Sequence, residues 1–393
     1  MRPVIIASAV RTPIGSISGA LASLSATQLG QLVISEVIRR GGIGAEQVGE
    51  VIMGQILQGG CGQNPARQAA VAAGVPAGVP SYTVNKLCGS GLKSVCLGAL
   101  AIAAGEGDVI IAGGMESMSR APYLLDKARY GYRMGNGVLE DSILSDALTD
   151  AFHGIHIGIT AENIAAQFRI SREEADAFAL QSQQKTAKAI RVGTFNREIV
   201  PVPVSGKRGE TVMVAKDEYP RGDTTMESLA KLRPAFSSDG IVTAGNSSGI
   251  NDGAATLLLM DEKTAAQTGV RPLARIVSWG TSGIAPEIMG MGPVEAVRRA
   301  LAKAGLKQDD IDVVELNEAF AVQSLAVIRE LRLDSRKVNV NGGALALGNP
   351  VGASGARVLV TLLHEMERSA LKRGLAALCI GGGQGIAMIV ERV

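Results

Sequence analysis

Apolar residues along the chain fall into two patterns. Short, nearly continuous runs such as "PVIIASAV" (3–10), "DVIIAGG" (108–114) and "LAALCIGGG" (375–383) lack the alternation of a half-exposed strand. They read as strands covered on both faces. Other stretches are helical and amphipathic. In "SREEADAFALQSQQKTAKAIRVG" (171–193), Ser171 with Glu174 three positions later forms a capping box, Glu173 and Glu174 place acid in the first turn, and Gly193 ends the run.

The strand and helix signals repeat. "PVIIASAVRTPIG" (3–15) parallels "PLARIVSWGTSGI" (272–284), and "AEQVGEVIMGQ" (45–55) parallels "QDDIDVVELNE" (308–318). "CGSGLKSVCLGALAIAAGEGDVIIAGG" (88–114) parallels "GASGARVLVTLLHEMERSALKRGLAALCIGGG" (352–383). Three matches in order, at offsets between 263 and 269, imply a duplicated α/β unit. Residues 120–240 have no counterpart and read as an insertion that covers substrate or mediates self-association. The predicted fold is therefore α/β, with one half at 1–119 plus 241–268, a loop domain at 120–240 and a second half at 269–393. Two sheets sandwiched by helices are expected, with the site where loops of both halves converge.

Composition fits this picture and removes some functions. In 393 residues there are 49 glycines, 46% hydrophobic residues and only 3% aromatics, which suits aliphatic strands, alanine-rich helices and tight turns. A net charge of +2 provides no general attraction for nucleic acid or an anionic membrane. No uninterrupted apolar run reaches the roughly 18 residues of a membrane span. The N-terminal segment reads as a first strand and turn, not as a signal or transit peptide. Cys61, Cys88, Cys96 and Cys379 show no CxxC spacing, so a cytoplasmic enzyme with reduced thiols is expected, without structural disulfides or a bound metal.

The chemistry concentrates in few places. "NKLCGSGLKSV" sets Cys88 where an extended segment gives way to a helix beginning near Ser90, and a helix N-terminus favours thiolate over thiol. Gly89 and Gly91 are expected to clear space around the sulfur. Cys96, inside an apolar helix, reads as core. Cys379 closes a strand before glycines whose N–H groups suit an oxyanion hole. "ELNEAF" places Asn317 and Glu318 after buried aliphatics, where a polar residue serves either as a helix cap or in the site.

Together, "NKLCGSG", "GGMESMSRAP", "TAENIA", "TAGNSSGINDGAA", "ELNEAF", "NVNGGALALGNPVGASGAR" and "CIGGGQG" resemble the thiolase family, most of all its biosynthetic acetyl-CoA acetyltransferase branch. The resemblance spans essentially the whole chain. It implies the thiolase fold, a five-layered αβαβα sandwich of two duplicated halves, and reversible Claisen condensation of two acetyl-CoA to acetoacetyl-CoA and CoA. No cofactor is implied beyond the coenzyme A thioesters themselves, and a homotetramer is the usual assembly. By the same resemblance Cys88 would carry the acyl group and Cys379 would move the α-proton. Asn317 would position a water in one oxyanion hole, and the N–H groups of Cys88 and Gly381 would form the other. Leu148, His156, Phe236, Ala244, Ser248, Met289, Ala319 and Phe320 would line the path of the pantetheine arm and the acyl pocket. Arg221, Ser228 and Leu232 would meet the nucleotide end; a solvated surface charge is the alternative for Arg221. Met289 points to short acyl chains, and a longer-chain degradative thiolase is the alternative.

One position departs from the family pattern. Where thiolases have Gly-His-Pro, this chain has Gly348-Asn349-Pro350. In the family that histidine takes the proton from the nucleophilic cysteine and donates a hydrogen bond in the first oxyanion hole. An asparagine amide retains the donor but cannot act as a base. The chain's three histidines are His153, His156 and His364, none in a motif that replaces it. Strongly reduced activity is expected. Either the substitution was introduced to trap a weakly active enzyme, or the chain is a natural relative turned slow enzyme or CoA-ester-binding protein.

Overall fold

The computed structural model describes residues 2–206 and 209–393. The repeated segments build the same strand neighbourhood twice. In the first half, β1 (Val4–Arg11), β2 (Glu50–Gly54), β3 (Ser81–Val84), β4 (Val109–Ser117) and β5 (Asn251–Asp261) lie in the order β1-β5-β4-β2-β3. In the second, β6 (Ala274–Gly283), β7 (Val313–Leu316), β8 (Arg373–Ile380) and β9 (Gln384–Glu391) lie in the order β6-β9-β8-β7. A parallel bridge from Val314 to Val338 takes the place that β3 has in the first half. Strand directions match as well: β1/β5 and β6/β9 are antiparallel, whereas β2/β4 and β7/β8 are parallel.

Among the described residues, the two expected sheets are joined into one of ten strands, the tenth being the short Gly15–Ser16 segment paired to β5. The junction is short, with β1 and β6 pairing antiparallel only at Ile5–Arg275 and Ile6–Ala274. Each of these is the terminal strand of its own half, and pairing them covers backbone groups that an open edge would leave bare. This link is invisible in the strand patterns, because edge pairing uses backbone rather than side chains.

The helices are α1 (Ala26–Gly41), α2 (Pro65–Ala72), α3 (Ser90–Ala104), α4 (Ile157–Phe168), α5 (Arg172–Arg191), α6 (Gly292–Ala304), α7 (Ala321–Leu331) and α8 (Ser354–Arg368). Three apolar clusters define five layers. Leu29, Val33 and Val37 of α1 pack on Val51, Ile111 and Leu258 of the first half's strands. Leu92 and Val95 of α3 meet Leu359 and Leu362 of α8 between Ile110 on one side and Leu378 on the other. Val297 of α6 and Val322 of α7 cover Leu375 and Ile389. Residues 87–104 are long and apolar enough to cross a membrane by composition, which a search for uninterrupted runs misses because Lys93 interrupts them. Here that segment contains α3, one of the two helices of the central layer.

Close approach of α3 and α8 explains their glycines. A Cβ at Gly91 would lie 2.7 Å from the Ala356 nitrogen, and one at Gly355 would lie 2.3 Å from the Leu92 nitrogen. A Cβ at Gly89 would strike the Ile380 side chain at 2.4 Å. Gly89 and Gly91 thus make room for the second half, not for the Cys88 sulfur as expected. In the insertion, α5 has its capping box, with Glu174 N–H donating to Ser171 Oγ at 3.2 Å and Ser171 N–H to Glu174 Oε2 at 2.9 Å. Gly193 follows the helix with φ of +75°.

Candidate active site

Cys88 sits in a tight turn between β3 and α3. Leu87 before it has φ of +46°, a left-handed conformation that a branched side chain adopts only at a cost of about 1–2 kcal/mol. Local hydrogen bonds hold the turn: Leu87 N–H donates to Asn85 Oδ1 at 3.0 Å, Lys86 N–H to Ser90 Oγ at 2.8 Å, and Ser90 Oγ–H to the Leu87 carbonyl at 2.6 Å. Burial pushes the Cys88 thiol up to about 11; its own N–H and that of Gly381 bear on the sulfur and pull the other way, while the Glu116 charge pushes up again. The helix end therefore does not produce a thiolate here, because desolvation outweighs it.

Cys379 lies near the end of β8, paired with Gly385 of β9. Burial, then the neighbouring Cys88, hold its thiol well above the ordinary range. The glycines after it form the hairpin into β9, with φ of +72° at Gly382 and +80° at Gly383. That turn carries the Gly381 N–H to the Cys88 sulfur from the opposite half.

The Asn349 loop comes from the second half and is fastened to the first. Its N–H donates to Asn251 Oδ1 at 2.8 Å, and Asn251 Nδ2 donates to the Gly15 carbonyl at 3.0 Å. Gly348, at φ of +100°, lies so close to Asn251 that a Cβ would come within 2.6 Å of its amide. Gly352 N–H and the N–H groups of Ile56 and Leu57 converge on the Glu116 carboxylate at 3.0, 3.0 and 3.2 Å. Burial raises that carboxyl to about 7, against the pull of these three donors. The Asn349 side chain is also oriented. Its Oδ1 accepts from Ser354 Oγ at 2.6 Å and from Asn317 Nδ2 at 3.3 Å, and its Nδ2 makes a long contact of 3.4 Å to Ser248 Oγ. Asn317 is fully buried just beyond β7, and its Oδ1 has no protein partner among the described residues.

These groups open on one cavity of about 300 Å³. Cys88, Cys379, Asn349 and Gly381 line it, together with Leu148, His156, Phe236, Ala244, Ser248, Met289, Ala319 and Phe320. His156 caps α4, its Nδ1 accepting from Gly158 N–H at 2.9 Å, and stacks on Phe236 at 4.6 Å between ring centroids. Burial lowers its pKa, which favours the neutral ring. Asn317 is not at the surface of the cavity but stands behind Asn349. Arg221, Ser228 and Leu232 line a neighbouring cavity of about 250 Å³ that shares Tyr219 and Ala244 with the first. The Arg221 guanidinium lies 5.9 Å from the Tyr219 ring, whereas the Ser228 hydroxyl is spent on the Thr225 carbonyl at 2.8 Å. The remaining histidines stand elsewhere: His364 meets the Ala9 carbonyl, and His153 lies between Asp150 and Glu287.

Sequence reasoning missed several lining residues, among them Met118, Ile157, Tyr219, Ile250 and Val351. Met118, Ile250 and Val351 lie within motifs already noted, so membership of those motifs was a usable signal. Tyr219 had none. Among the described residues no group of His, Cys, Asp and Glu is placed to hold a metal ion. Chemically, the cavity combines two thiols, a pair of N–H groups on one sulfur, and two amides side by side, between apolar walls. That set suits acyl transfer and stabilisation of a developing oxyanion.

A five-layered duplicated α/β fold with paired thiols at the junction defines the class, and the chain belongs to the thiolase family. The thiolase N-terminal domain model matches residues 4–263 and the thiolase C-terminal domain model residues 270–392. The chain is 57% identical over 394 residues to an acetyl-CoA acetyltransferase of Escherichia coli K12 and 56% identical over 392 residues to one of Pseudomonas aeruginosa, each match covering 100% of both proteins. Among solved structures, a Bacillus anthracis acetyl-CoA acetyltransferase superposes with a TM-score of 0.98 at 46% identity, covering 100% of this chain and 99% of that one.

Proposed function

We propose that this chain is an acetyl-CoA C-acetyltransferase that interconverts two acetyl-CoA with acetoacetyl-CoA and CoA through an acetyl-Cys88 intermediate, and that Asn349 slows it. The observation that carries the reading is the convergence of Cys88, Cys379, Gly381 and Asn349 on one cavity. Cys88 attacks the thioester carbonyl of the first acetyl-CoA and expels CoA. The N–H groups of Cys88 and Gly381 stabilise the oxyanion. Cys379 gives its proton to the departing CoA thiolate, and the thiolate left on Cys379 then removes an α-proton from the second acetyl-CoA. The resulting carbanion attacks the acetyl-cysteine, releasing acetoacetyl-CoA and the Cys88 thiolate, which takes up a proton. Asn349, and a water positioned by Asn317, serve the enolate oxygen of this second thioester. Arg221 beside Tyr219, at the outer cavity, suits the nucleotide end of coenzyme A.

The thiol at about 11 makes the missing base consequential. At pH 7 only about one molecule in 10⁴ carries the Cys88 thiolate, so an unassisted attack is slow. Intact mass after incubation with acetyl-CoA tests the reading. An added acetyl group that is absent in Cys88→Ala supports it. Measurable CoA binding with no adduct after long incubation favours a CoA-ester-binding protein instead, the alternative that Asn349 itself suggests.

Exposed apolar side chains at Tyr130, Met134, Val138 and Leu139 support self-association through residues 120–144, in line with a homotetramer. Light scattering at several concentrations tests it; a monomer throughout sinks it. Four free cysteines suit a reducing, cytoplasmic setting.

A further inference from the structure

Under the proposed function, the enolate oxygen is served by Asn349 and by a water positioned by Asn317, and the two asparagines belong to different segments of the second half. Asn317 follows β7, while Asn349 ends the glycine-rich loop 339–349. Their 3.3 Å contact is too long and too weak to set the spacing by itself. Something rigid must hold the two segments.

Glu318, next to Asn317, occupies that place. It is 1% exposed and touches the loop directly. Its Oε1 accepts from Asn339 Nδ2 at 2.7 Å, and its Oε2 accepts from Leu345 N–H at 3.2 Å and from Ser182 Oγ at 2.7 Å. Ser182 belongs to α5 of the insertion, and its Oγ accepts from Gly343 N–H at 3.0 Å. Asn339 is itself locked, donating to the Leu316 carbonyl and accepting from Leu316 N–H, both at 2.8 Å. The loop backbone lies flat against the carboxylate: a Cβ at Gly343 would fall 2.3 Å from Glu318 Cδ. Glu318 does not line the catalytic cavity.

We propose that Glu318 is a positioning residue for the Claisen step, a buried carboxylate that fixes Asn317 and the Asn349 loop at the spacing the enolate oxygen requires and ties both to α5 through Ser182. Three donors converge on two oxygens, so only a carboxylate satisfies them all. A glutamine cannot. If its amide nitrogen faces Leu345, that N–H loses its acceptor; if it faces Asn339, two NH₂ groups meet, because Asn339 cannot turn without breaking both bonds to Leu316. Acetylation of Cys88 uses the other oxyanion hole, formed by Cys88 and Gly381, and does not depend on this knot.

The test separates the two half-reactions in Glu318→Gln and Ser182→Ala. Acetylation of Cys88 is followed by intact mass, and α-proton exchange of acetyl-CoA in D₂O by NMR. Glu318→Gln is expected to keep the acetylation rate within about twofold of the parent while exchange falls about 10- to 100-fold, the loss typical of a misplaced oxyanion donor. Ser182→Ala is expected to shift the same ratio less, and the double variant to fall no further than Glu318→Gln. Loss of both rates in parallel, or of neither, overturns the inference. If Glu318→Gln does not fold by circular dichroism, Ser182→Ala decides by the same ratio. A parent chain showing neither adduct nor exchange overturns the proposed function itself, and this inference with it.

Discussion

Asn349 lines the same cavity as the two thiols, Cys88 and Cys379. Its backbone N–H donates to Asn251 and its side-chain Oδ1 accepts from Ser354 and Asn317, so the amide has a fixed orientation in the loop rather than that of a loose substitute. Replacing it by histidine would place a base in the cavity with a thiol pushed up to about 11. Asn349→His is expected to raise acetoacetyl-CoA thiolysis by about 10²- to 10⁴-fold, the usual worth of a general base, measured as consumption of the free CoA thiol. An unchanged rate in a folded protein sinks the idea that position 349 lacks the base. The pH profile provides a second check. With no base, the rate follows the thiolate fraction, which grows as pH rises towards the raised thiol pKa. The thiolysis rate of the parent chain is therefore expected to climb about tenfold per pH unit from 7 to 9, and that slope is expected to flatten in Asn349→His. A flat parent profile counts against direct dependence on the thiolate.

At the level of elements, the site depends on how closely α3 and α8 cross, because each opens just after a catalytic loop. Gly91 and Gly355 allow that crossing. Gly91→Ala places a methyl against the backbone of Ala356 and is expected to cost about 1–3 kcal/mol, read from the urea midpoint. Cys88 acetylation is expected to slow with it, since the turn is carried on α3. Stability equal to the parent's would show that the helices have room to part. The motifs carrying Cys88, Asn349 and Cys379 were legible as strand-to-loop or loop-to-helix transitions because glycine or proline punctuates them, and that of Asn317 because polar residues end an aliphatic run. That the Cys379 glycines form a hairpin, and that Gly89 serves Ile380, were not legible. A glycine marks the need for space without saying what fills it.

For the whole molecule, the insertion is fastened to the first half by charges rather than by apolar packing alone. Arg11, fully buried at the end of β1, pairs with Glu198 at 2.6 Å and Asp217 at 2.6 Å, both from the insertion. Arg11→Ala strands two buried carboxylates and is expected to cost about 3–5 kcal/mol in a thermal or denaturant melt. A loss below about 1 kcal/mol would mean that the cluster is hydrated and contributes little. Helix α5 extends the same connection to the site. Gln183 donates to the Leu345 carbonyl at 3.3 Å and accepts from Arg221 N–H at 2.9 Å, so one side chain bridges the Arg221 loop and the Asn349 loop.

What the chain determines by itself is local and repetitive: strands covered on both faces, a capping box on α5, glycine-bounded loops, and a duplication visible as three ordered matches. Those features follow from neighbours within a few residues, or from copying a unit whole, and both leave marks in linear order. Only the tertiary structure decided that the two halves share one sheet through Ile5 and Ile6, since backbone pairing leaves no side-chain signature. It alone decided the state of Cys88 as well. The helix end argues for thiolate, but burial between two halves separated by hundreds of residues argues more strongly against it. The electrostatics of a group depend on everything around it in space, and here what surrounds Cys88 includes Gly381 and the Asn349 loop, from the far end of the chain.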